Sequence, residues 1–320
     1  TLPSHSTLLT GFQPYNHGAR NNGTHKVGTH KVGGAVRSLA ERFKDVDFST
    51  GAVVSAFVLD SRFGLDAGFD SYDDDLSGGS GSGNFGFAET KADDTTRRAL
   101  SWLRGRGEER WFLWVHYFDP HADYSPPEPY ASRCPGDPYD GEIAYTDAML
   151  GSILDELRVR GELDETLVVV TADHGESLGD HGEETHGIFI YDSTTHVPLL
   201  MSHPSLPQES RVEEVIGLVD IAPTVMDIMG VSYGNGFDGR SYLSAMFPGE
   251  EAFEAAWQLH LEPTELQDKV CHHFCDGVDM SVGAKKEPGQ PQIFMDGEPI
   301  EPGSPVGPGG RRKVRLDKKT

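Results

Sequence analysis

Three things are scarce in this chain of 320 residues, and each scarcity excludes a class of protein. The three cysteines, Cys134, Cys271 and Cys275, are too few for a disulfide framework. No run of about 18 apolar residues occurs, so no transmembrane helix is predicted. The 27 basic residues are outnumbered by 51 acidic ones, which gives a net charge of −24. That charge argues against nucleic acid as a partner, because a phosphate backbone requires lysine and arginine.

Up to about residue 262 the chain contains an alternation of predicted strands and helices. Strands are predicted at 51–59, 111–118, 167–172 and 197–202, and helices at 3–10, 37–44, 91–104, 142–158 and 220–229. This alternation is typical of an α/β protein with a parallel sheet. Residues 263–320 are rich in proline and glycine and end in a basic run. We therefore expect a domain of residues 1–262 followed by a disordered tail.

The most informative segment is the run Thr-Ala-Asp-His-Gly-Glu at 171–176, which follows the apolar residues 167–170. This pattern predicts a buried strand that delivers Asp173 and His174 at its carboxyl end, the edge at which open α/β sheets bind ligands. A carboxylate and a neutral imidazole are ligands for hard or borderline divalent cations. We therefore expect these two residues to bind a metal ion. The alternative is an ordinary polar turn after a strand.

The first residue, Thr1, precedes the predicted helix at 3–10, whose end is marked by Gly11. A hydroxyl at this position faces free backbone N–H groups and the positive end of the helix dipole, both of which attract anions. Thr1 is therefore a candidate nucleophile toward a bound sulfate or phosphate group. From these residues alone, an ordinary helix N-cap is the favoured interpretation.

Five motifs occur in order along the chain. They are Thr-Leu-Pro-Ser-His at 1–5, Leu-Leu-Thr-Gly at 8–11, Asp-Pro-His at 119–121, Asp-His-Gly-Glu at 173–176 with Asp-His-Gly at 180–182, and Asp-Ile-Ala-Pro-Thr at 220–224. Together they resemble the motifs of the sulfatases, a family within the alkaline phosphatase superfamily, from residue 1 to about residue 245. The resemblance implies an alkaline-phosphatase-like sheet sandwiched by helices and a metal-dependent hydrolysis of sulfate esters.

The resemblance also implies the nucleophile and the metal ligands. Thr1 stands where the family keeps a cysteine or serine that is oxidised to formylglycine. Threonine cannot give an aldehyde, so formylglycine is not expected and Thr1 is expected to attack directly, as in the phosphodiesterase branch of the superfamily. Asp173 and His174 match two metal ligands, and Thr1 would also contact the metal. Calcium is the first candidate for this cation, with magnesium, manganese and zinc as alternatives.

Three histidines match substrate-binding positions of the family. His121 matches the histidine that contacts the ester anion. His186 stands where many sulfatases have a lysine that binds the ester, and His5 stands where an arginine usually supports the nucleophile. The resemblance therefore implies that these three bind the substrate, and that His121 and His186 also act in catalysis. His116, within the predicted strand 111–118, is expected to be a core residue.

Some family features are not in the sequence. The first family strand, which carries a pair of aspartate ligands, and the Gly-Lys-Trp-His motif are both missing. The chain also opens without methionine and in the middle of the nucleophile motif. We therefore expect a piece of a longer protein whose metal site is incomplete.

The resulting hypothesis is a hydrolase of small-molecule or glycan sulfate esters. Three alternatives stay open: a phosphodiesterase or phosphomonoesterase with a threonine nucleophile, a hydrolase that uses an N-terminal threonine, and an inactive fragment that keeps only the fold. By resemblance alone, the compartment would be the periplasm or the cell exterior. The sequence does not decide the oligomeric state or the organic part of the substrate.

Overall fold

The computed structural model describes residues 1–22, 27, 36–77, 88–207, 210–233 and 236–247, and the backbone of 293–295 and 298–300. The chain divides into one compact unit of Thr1–Val225 with Phe237–Met246, and a second of Met226–Gly236 with Phe247–Thr320. The predicted boundary at residue 262 and most of the predicted tail lie outside the described residues, so the disorder of the tail stays a prediction. Within the second unit, Ile293–Met295 pairs antiparallel with Glu298–Ile300.

Nine helices are present among the described residues. They are α1 (Leu2–Thr10), α2 (Pro14–His17), α3 (Leu39–Lys44), α4 (Ala92–Gly105), α5 (Tyr130–Arg133), α6 (Pro138–Arg160), α7 (Asp192–Thr195), α8 (Ile221–Ile228) and α9 (Leu243–Met246). The predicted helices at 3–10, 37–44, 91–104 and 220–229 match α1, α3, α4 and α8 to within two residues at each end. None of these helices is long and apolar enough to cross a bilayer.

Helix α6 begins four residues earlier than the predicted 142–158. The reason is a local capping arrangement that the apolar periodicity does not reveal. Asp137 accepts a hydrogen bond from the backbone N–H of Asp140 (3.2 Å), and Pro138 occupies the first helical turn. Both features favour a helix start at this point.

The larger sheet has three parallel strands. β1 (Ser49–Val53) lies between β2 (Ser71–Asp73) and β3 (Trp111–Val115), with Gly51 in register with both Ser71 and Leu113. This confirms the parallel arrangement expected from the alternation of strands and helices. The strand predicted at 51–59 is observed as Ser49–Val53, which begins two residues earlier and is shorter. It does not reach residue 59, because Phe57–Leu59 forms a turn of 3₁₀ helix.

Side chains from this sheet alternate between two apolar cores, one on each face. Val54 belongs to the core that includes residues of α1, and Trp114 packs against that core. Val53 belongs to the other core, which is built with α4 and α6, and Leu113 packs against it. Neighbouring residues of a strand point to opposite faces, so helices cover both sides of the sheet. The predicted sandwich of sheet and helices is therefore present.

A second sheet corrects one expectation. β4 (Val168–Thr171) pairs with β5 (Leu199–Ser202) in antiparallel register, with Thr171 opposite Leu199. We expected parallel strands throughout, and for this pair that is wrong. Parallel neighbours usually need a crossover helix, whereas the chain between β4 and β5 contains only α7 and one turn of 3₁₀ helix at Asp180–Gly182. The connection instead turns back and forms one wall of the site described below.

Helix α1 places its first residue at the site. Pro3 lies in its first turn, and Gly11 ends it with a left-handed φ of 67°. Leu2 and Leu9 are fully buried and fix the helix against the sheet. The end of the adjoining α2 is also buried, because the side chain of His17 is 0% exposed.

The hydrogen bonds of His17 define its protonation state. Its Nδ1 accepts from the backbone N–H of Ala19 (3.2 Å), so the ring proton is on Nε2, which lies 3.0 Å from Thr7 Oγ1. Burial lowers the pKa of His17 to about 4. The ring is therefore neutral in the folded protein at every pH above that value.

This burial predicts a loss of stability in mild acid. Below pH 6.5 the unfolded chain binds a proton at His17, whereas the folded protein binds it only near pH 4. The stability contribution is complete above pH 6.5 and is lost as the pH falls, by about 2 kcal/mol at pH 5. A shift from pH 7.5 to pH 5 in urea unfolding should therefore cost the wild type about 2 kcal/mol more than His17→Gln. The exposed His181→Gln is the control, and an equal loss in the wild type and His17→Gln would contradict the assignment.

Candidate active site

The site forms where α1 begins and where β3 and β4 end. Asp173 and His174 follow the last residue of β4, and the chain after β3 provides His116 and His121. The backbone of Thr1, at the start of α1, completes one side. The sequence predicted that the segment after the strand 167–172 would lie at a sheet edge beside other functional residues. The structure brings these residues together there.

Asp173 is the centre of the cluster. Its Oδ2 lies 3.5 Å from His5 Nδ1, 3.5 Å from His174 Nε2 and 3.6 Å from the backbone nitrogen of Thr1. This oxygen is buried and accepts no hydrogen bond in the described part of the chain. Burial alone raises the pKa of Asp173, but the attraction of its neighbours outweighs it, and the pKa falls well below its ordinary value. Asp173 is therefore an ionised carboxylate with an unused lone pair.

His174 directs a second lone pair to the same place. Its Nδ1 lies 3.0 Å from the carbonyl oxygen of Gly175. A carbonyl can only accept a hydrogen bond, so Nδ1 carries a proton, and Nε2 is the nitrogen that offers a lone pair when the ring is neutral. That Nε2 is the atom 3.5 Å from Asp173 Oδ2. A proton fixed on one ring nitrogen by a backbone carbonyl is the usual arrangement of a metal-binding histidine.

Together these two residues fit part of a cation site. An anionic oxygen and an imidazole lone pair face each other, and the carboxylate oxygen has no hydrogen bond to replace the one it loses on burial. Among the described residues, however, no group of three or more His, Cys, Asp or Glu side chains has the geometry of a metal site. Asp173 and His174 would therefore supply only two of the ligands that a cation needs.

His5 and His116 form the buried floor of the cluster. The two rings meet edge to face with centroids 4.8 Å apart. His5 donates its Nδ1–H to the carbonyl oxygen of Thr1 (3.0 Å), and His116 donates its Nδ1–H to Ser55 Oγ (3.0 Å), which in turn donates to the His116 carbonyl (2.6 Å). Burial lowers the pKa of both rings, so both are neutral near pH 7. We expected His116 in the core, and the structure shows that this part of the core lies against the site.

His186 closes the cluster from the loop after β4. Its ring centroid is 4.1 Å from that of His174 and 5.0 Å from that of His121. His186 Nδ1 lies 3.1 Å and 3.2 Å from the two carboxylate oxygens of Glu176, so Nδ1 donates to this carboxylate. Burial alone raises the pKa of Glu176, but the hydrogen bond from His186 outweighs it and the pKa is lowered. Glu176 therefore orients the ring through Nδ1 and leaves Nε2 on the other side.

Glu176 was not predicted as a site residue. A signal was available, because Glu176 follows Asp173 by three positions in a motif already assigned to the site. What could not be read was its pairing with His186, ten residues further along. That pairing depends on the path of the loop, which a local sequence pattern does not predict.

His121 is held by its own loop. Its ring stacks on Phe118 with centroids 4.2 Å apart, and its Nδ1–H donates to the carbonyl oxygen of Ala122 (2.7 Å). Burial lowers the pKa of His121. The ring therefore faces His186 as a neutral imidazole with a defined tautomer.

Thr1 makes no hydrogen bond from its side chain to the start of α1. The alternative of an ordinary N-cap therefore finds no support in the capping geometry. Its carbonyl oxygen accepts from His5 twice, from the backbone N–H (3.0 Å) and from the ring (3.0 Å). The backbone of Thr1 is thus fixed beside Asp173, while its hydroxyl is not committed to the helix.

The loop after β4 is locked to the segment that carries α7. Gly175 donates its N–H to the carbonyl oxygen of Thr194 (2.9 Å), and Ser177 donates to that of Thr185 (2.8 Å). A Cβ atom at position 175 would lie 2.1 Å from the Ser193 carbonyl oxygen, so only glycine allows this approach. The position after His174 is therefore glycine for a steric reason.

Known proteins resemble this chain in sequence. The family model described as Sulfatase matches residues 1–231. Arylsulfatase K of Bos taurus is 40% identical over 119 residues, which are 36% of this chain and 22% of that protein. Arylsulfatase K of Mus musculus is 32% identical over 164 residues, which are 51% of this chain and 29% of that protein. The chain thus spans less than a third of the length of these curated relatives.

Solved structures resemble it in fold. BT4656, solved in complex with its substrate D-glucosamine-2-N,6-O-disulfate, superimposes with a TM-score of 0.60 at 18% identity, covering 76% of this chain and 70% of that one. Phosphonate monoester hydrolase of Agrobacterium radiobacter gives 0.62 at 21% identity, covering 78% and 68%. The predicted alkaline-phosphatase-like fold is confirmed. Because the family match covers more than two thirds of the chain and includes Thr1, His121 and Asp173, the chain belongs to the sulfatase family.

Proposed function

We propose that this chain carries the catalytic residues of a metal-dependent sulfate ester hydrolase. The observation that carries the proposal is the meeting of Thr1, His121, Asp173, His174 and His186 in one cluster. Sequence similarity to arylsulfatase K supports the same chemistry. The solved structure that contains a disulfated glucosamine supports a small-molecule or glycan ester as the substrate class.

Asp173 and His174 are the proposed cation ligands. The sulfatase family generally uses a divalent metal ion. When bound, such an ion would lower the pKa of the attacking hydroxyl and neutralise the ester oxygens. Calcium is our first candidate because a carboxylate oxygen is at the centre of the site. Magnesium, manganese and zinc are the alternatives, of which manganese and zinc are better suited to the imidazole of His174.

Thr1 is the proposed nucleophile. Thr1 attacks as the alkoxide, after its proton has passed to solvent. Its oxygen forms a bond to sulfur while the bond between sulfur and the alcohol oxygen of the substrate breaks, which leaves a sulfate ester on Thr1. The departing alkoxide takes a proton from His186 or His121. Water then attacks the sulfur of the Thr1 ester, which releases sulfate and restores the hydroxyl. The start of α1 favours the anionic ester through the positive end of the helix dipole.

His186 and His121 have different proposed roles. His186 directs its Nδ1 to the buried carboxylate of Glu176, which leaves Nε2 to exchange a proton, so we assign His186 as the proton donor to the leaving group. His121 already donates its Nδ1–H to its own loop, so it would hold an ester oxygen through Nε2, with a proton taken up when the anionic ester binds. His5 supports Thr1 through the carbonyl oxygen of that residue, and a direct contact of His5 with substrate stays a prediction.

A phosphate or phosphonate ester is the second candidate substrate. The favouring observation is Thr1 itself, since a threonine hydroxyl attacks directly and does not need conversion to an aldehyde. The fold similarity to phosphonate monoester hydrolases is compatible with this chemistry. Parallel assays with an aryl sulfate, an aryl phosphate and an aryl phosphonate separate the two. Turnover of the phosphorus esters alone would overturn the sulfatase assignment.

Removal of the central carboxylate should abolish cation binding. Each of the four candidate cations is added in turn to the full-length wild type, in which the missing ligands are expected. At a hundredfold excess over Kd, the true ligand should stabilise the fold by about 2.7 kcal/mol and so raise its thermal midpoint. Asp173→Asn should lose that response because it removes the charge without changing the volume. Asp180→Asn, an exposed aspartate of the same loop, is the control. A wild type that responds to none of the four cations would contradict the metal assignment.

Replacement of the nucleophile should separate chemistry from binding. Thr1→Ala should reduce kcat by at least about a thousandfold on any ester that the wild type hydrolyses, because it removes the attacking oxygen. Thr1→Ser keeps the hydroxyl and should retain most of the activity. The measurement is steady-state release of the aryl alcohol. Unchanged turnover by Thr1→Ala would refute the assignment.

A proton donor should matter most for poor leaving groups. His186→Gln should reduce the rate for an alkyl ester by about a hundredfold or more, since protonation is then required for departure. For a nitrophenyl ester, which leaves without protonation, the loss should be much smaller. The exposed His181→Gln should affect neither. Equal losses on both substrates would assign His186 to binding and not to proton transfer.

A further inference from the structure

Three charged side chains outside the catalytic cluster converge beneath the loop that carries His121. They are Lys91 before α4, Asp119 after β3, and Glu142 within α6. None of them has a role in the proposed mechanism. The side chains of Asp119 and Glu142 are 1% and 0% exposed, so they are unavailable to solvent or substrate.

Glu142 makes its contacts with the loop through backbone groups. Its Oε2 accepts from the backbone N–H of His121 (3.3 Å), and its Oε1 accepts from that of Ser125 (2.7 Å). Lys91 Nζ donates to the same Oε1 (3.2 Å). One buried carboxylate thus ties both the catalytic histidine and the far end of its loop to α6.

Asp119 ties the other end. Its Oδ1 accepts from Lys91 Nζ (2.9 Å), and its Oδ2 accepts from the backbone N–H of Ala92 at the start of α4 (2.8 Å). Its carbonyl oxygen accepts from Thr146 Oγ1 of α6 (3.2 Å). The loop from residue 119 to residue 125 is therefore fastened at both ends to two helices.

Burial of these three charged groups costs free energy, so stability alone does not explain the arrangement. Two carboxylates share one ammonium group, and burial raises the pKa of Glu142. Burial alone lowers the pKa of Lys91, but the two carboxylates outweigh it and the pKa is raised, so the lysine stays charged. Apolar residues of similar volume commonly stabilise a fold as well as such a group does. What they cannot supply is directional hydrogen bonds to the two backbone N–H groups.

We infer that Glu142, together with Lys91 and Asp119, positions His121 for its contact with the ester. The ring of His121 is fixed by Phe118 and by the carbonyl oxygen of Ala122, which belongs to the same loop. The placement of the ring therefore follows the placement of the loop backbone. A displacement of about 1 Å at such a group can cost about a hundredfold in rate. This inference rests on the proposed function, in which His121 contacts the substrate.

The test replaces Glu142 by glutamine, which keeps the volume. The substitution turns one carboxylate oxygen into an amide NH2 group, which cannot accept from a backbone N–H. One of the two loop contacts is therefore lost along with the charge opposite Lys91. E142Q should lower kcat by about 10- to 100-fold with a smaller change in KM. Glu156→Gln, on the same helix but paired with Arg104, is the matched control and should leave kcat within about twofold.

A double-mutant cycle decides whether the effect passes through His121. In a His121→Ala background, E142Q should cost less than about threefold, because the group it positions is already absent. An equal loss in both backgrounds would overturn the inference and assign Glu142 to general stability. If E142Q does not fold, Lys91→Gln replaces it in the same cycle, with the same pattern expected.

A spectroscopic measurement separates this inference from the proposed function. In ring ¹⁵N spectra, the Nδ1–H signal of His121, assigned by its loss in His121→Ala, should shift or broaden in E142Q and stay unchanged in Glu156→Gln. An unaltered signal in E142Q would overturn the inference. If the signal responds as expected but the wild type hydrolyses none of the esters, the positioning role stands and the proposed function fails.

Discussion

The site depends on one constraint, the burial of an ionised carboxylate at Asp173. A buried charge is costly unless its surroundings compensate for it, and here the groups that separate segments bring to within 3.5 to 3.6 Å donate no hydrogen bond to its Oδ2. Helix α1 and the residue before it contribute His5 and Thr1, and the strand-to-loop junction after β4 contributes His174. The rings of His5 and His116 are neutral, so the carboxylate keeps much of its negative potential. A group with that potential and an unused lone pair is prepared to attract a cation.

The histidines around this carboxylate share one organising rule. Each uses Nδ1 for a contact with a nearby acceptor, which is a backbone carbonyl for His5, His121 and His174, a serine hydroxyl for His116, and a carboxylate for His186. The acceptors are part of the scaffold, so the tautomer of each ring is set by the fold before any ligand arrives. The difference between a neutral acceptor and the carboxylate of Glu176 then separates His186 from the other four.

Local sequence pattern was sufficient to predict features that depend only on neighbouring residues. An apolar run before Asp173 predicts β4 and the exit of its ligands, and Pro3 with Gly11 predicts both ends of α1, because these signals act within one turn or one strand. Contacts between distant segments could not be read this way. The antiparallel pairing of β5 depends on how the loop after β4 turns back, and Glu142 acts on a loop that precedes it by 17 to 21 residues. Such contacts are decided by packing, which no single stretch of sequence encodes.

The hydrogen bonds at Gly175 and Ser177 have a consequence for ligand binding. They join the segment that bears His186 to the strand end that bears His174. A ligand that contacts both histidines would therefore meet groups whose spacing is set by backbone hydrogen bonds. Such a spacing favours ligands that match it, because less of the binding energy is needed to order the protein.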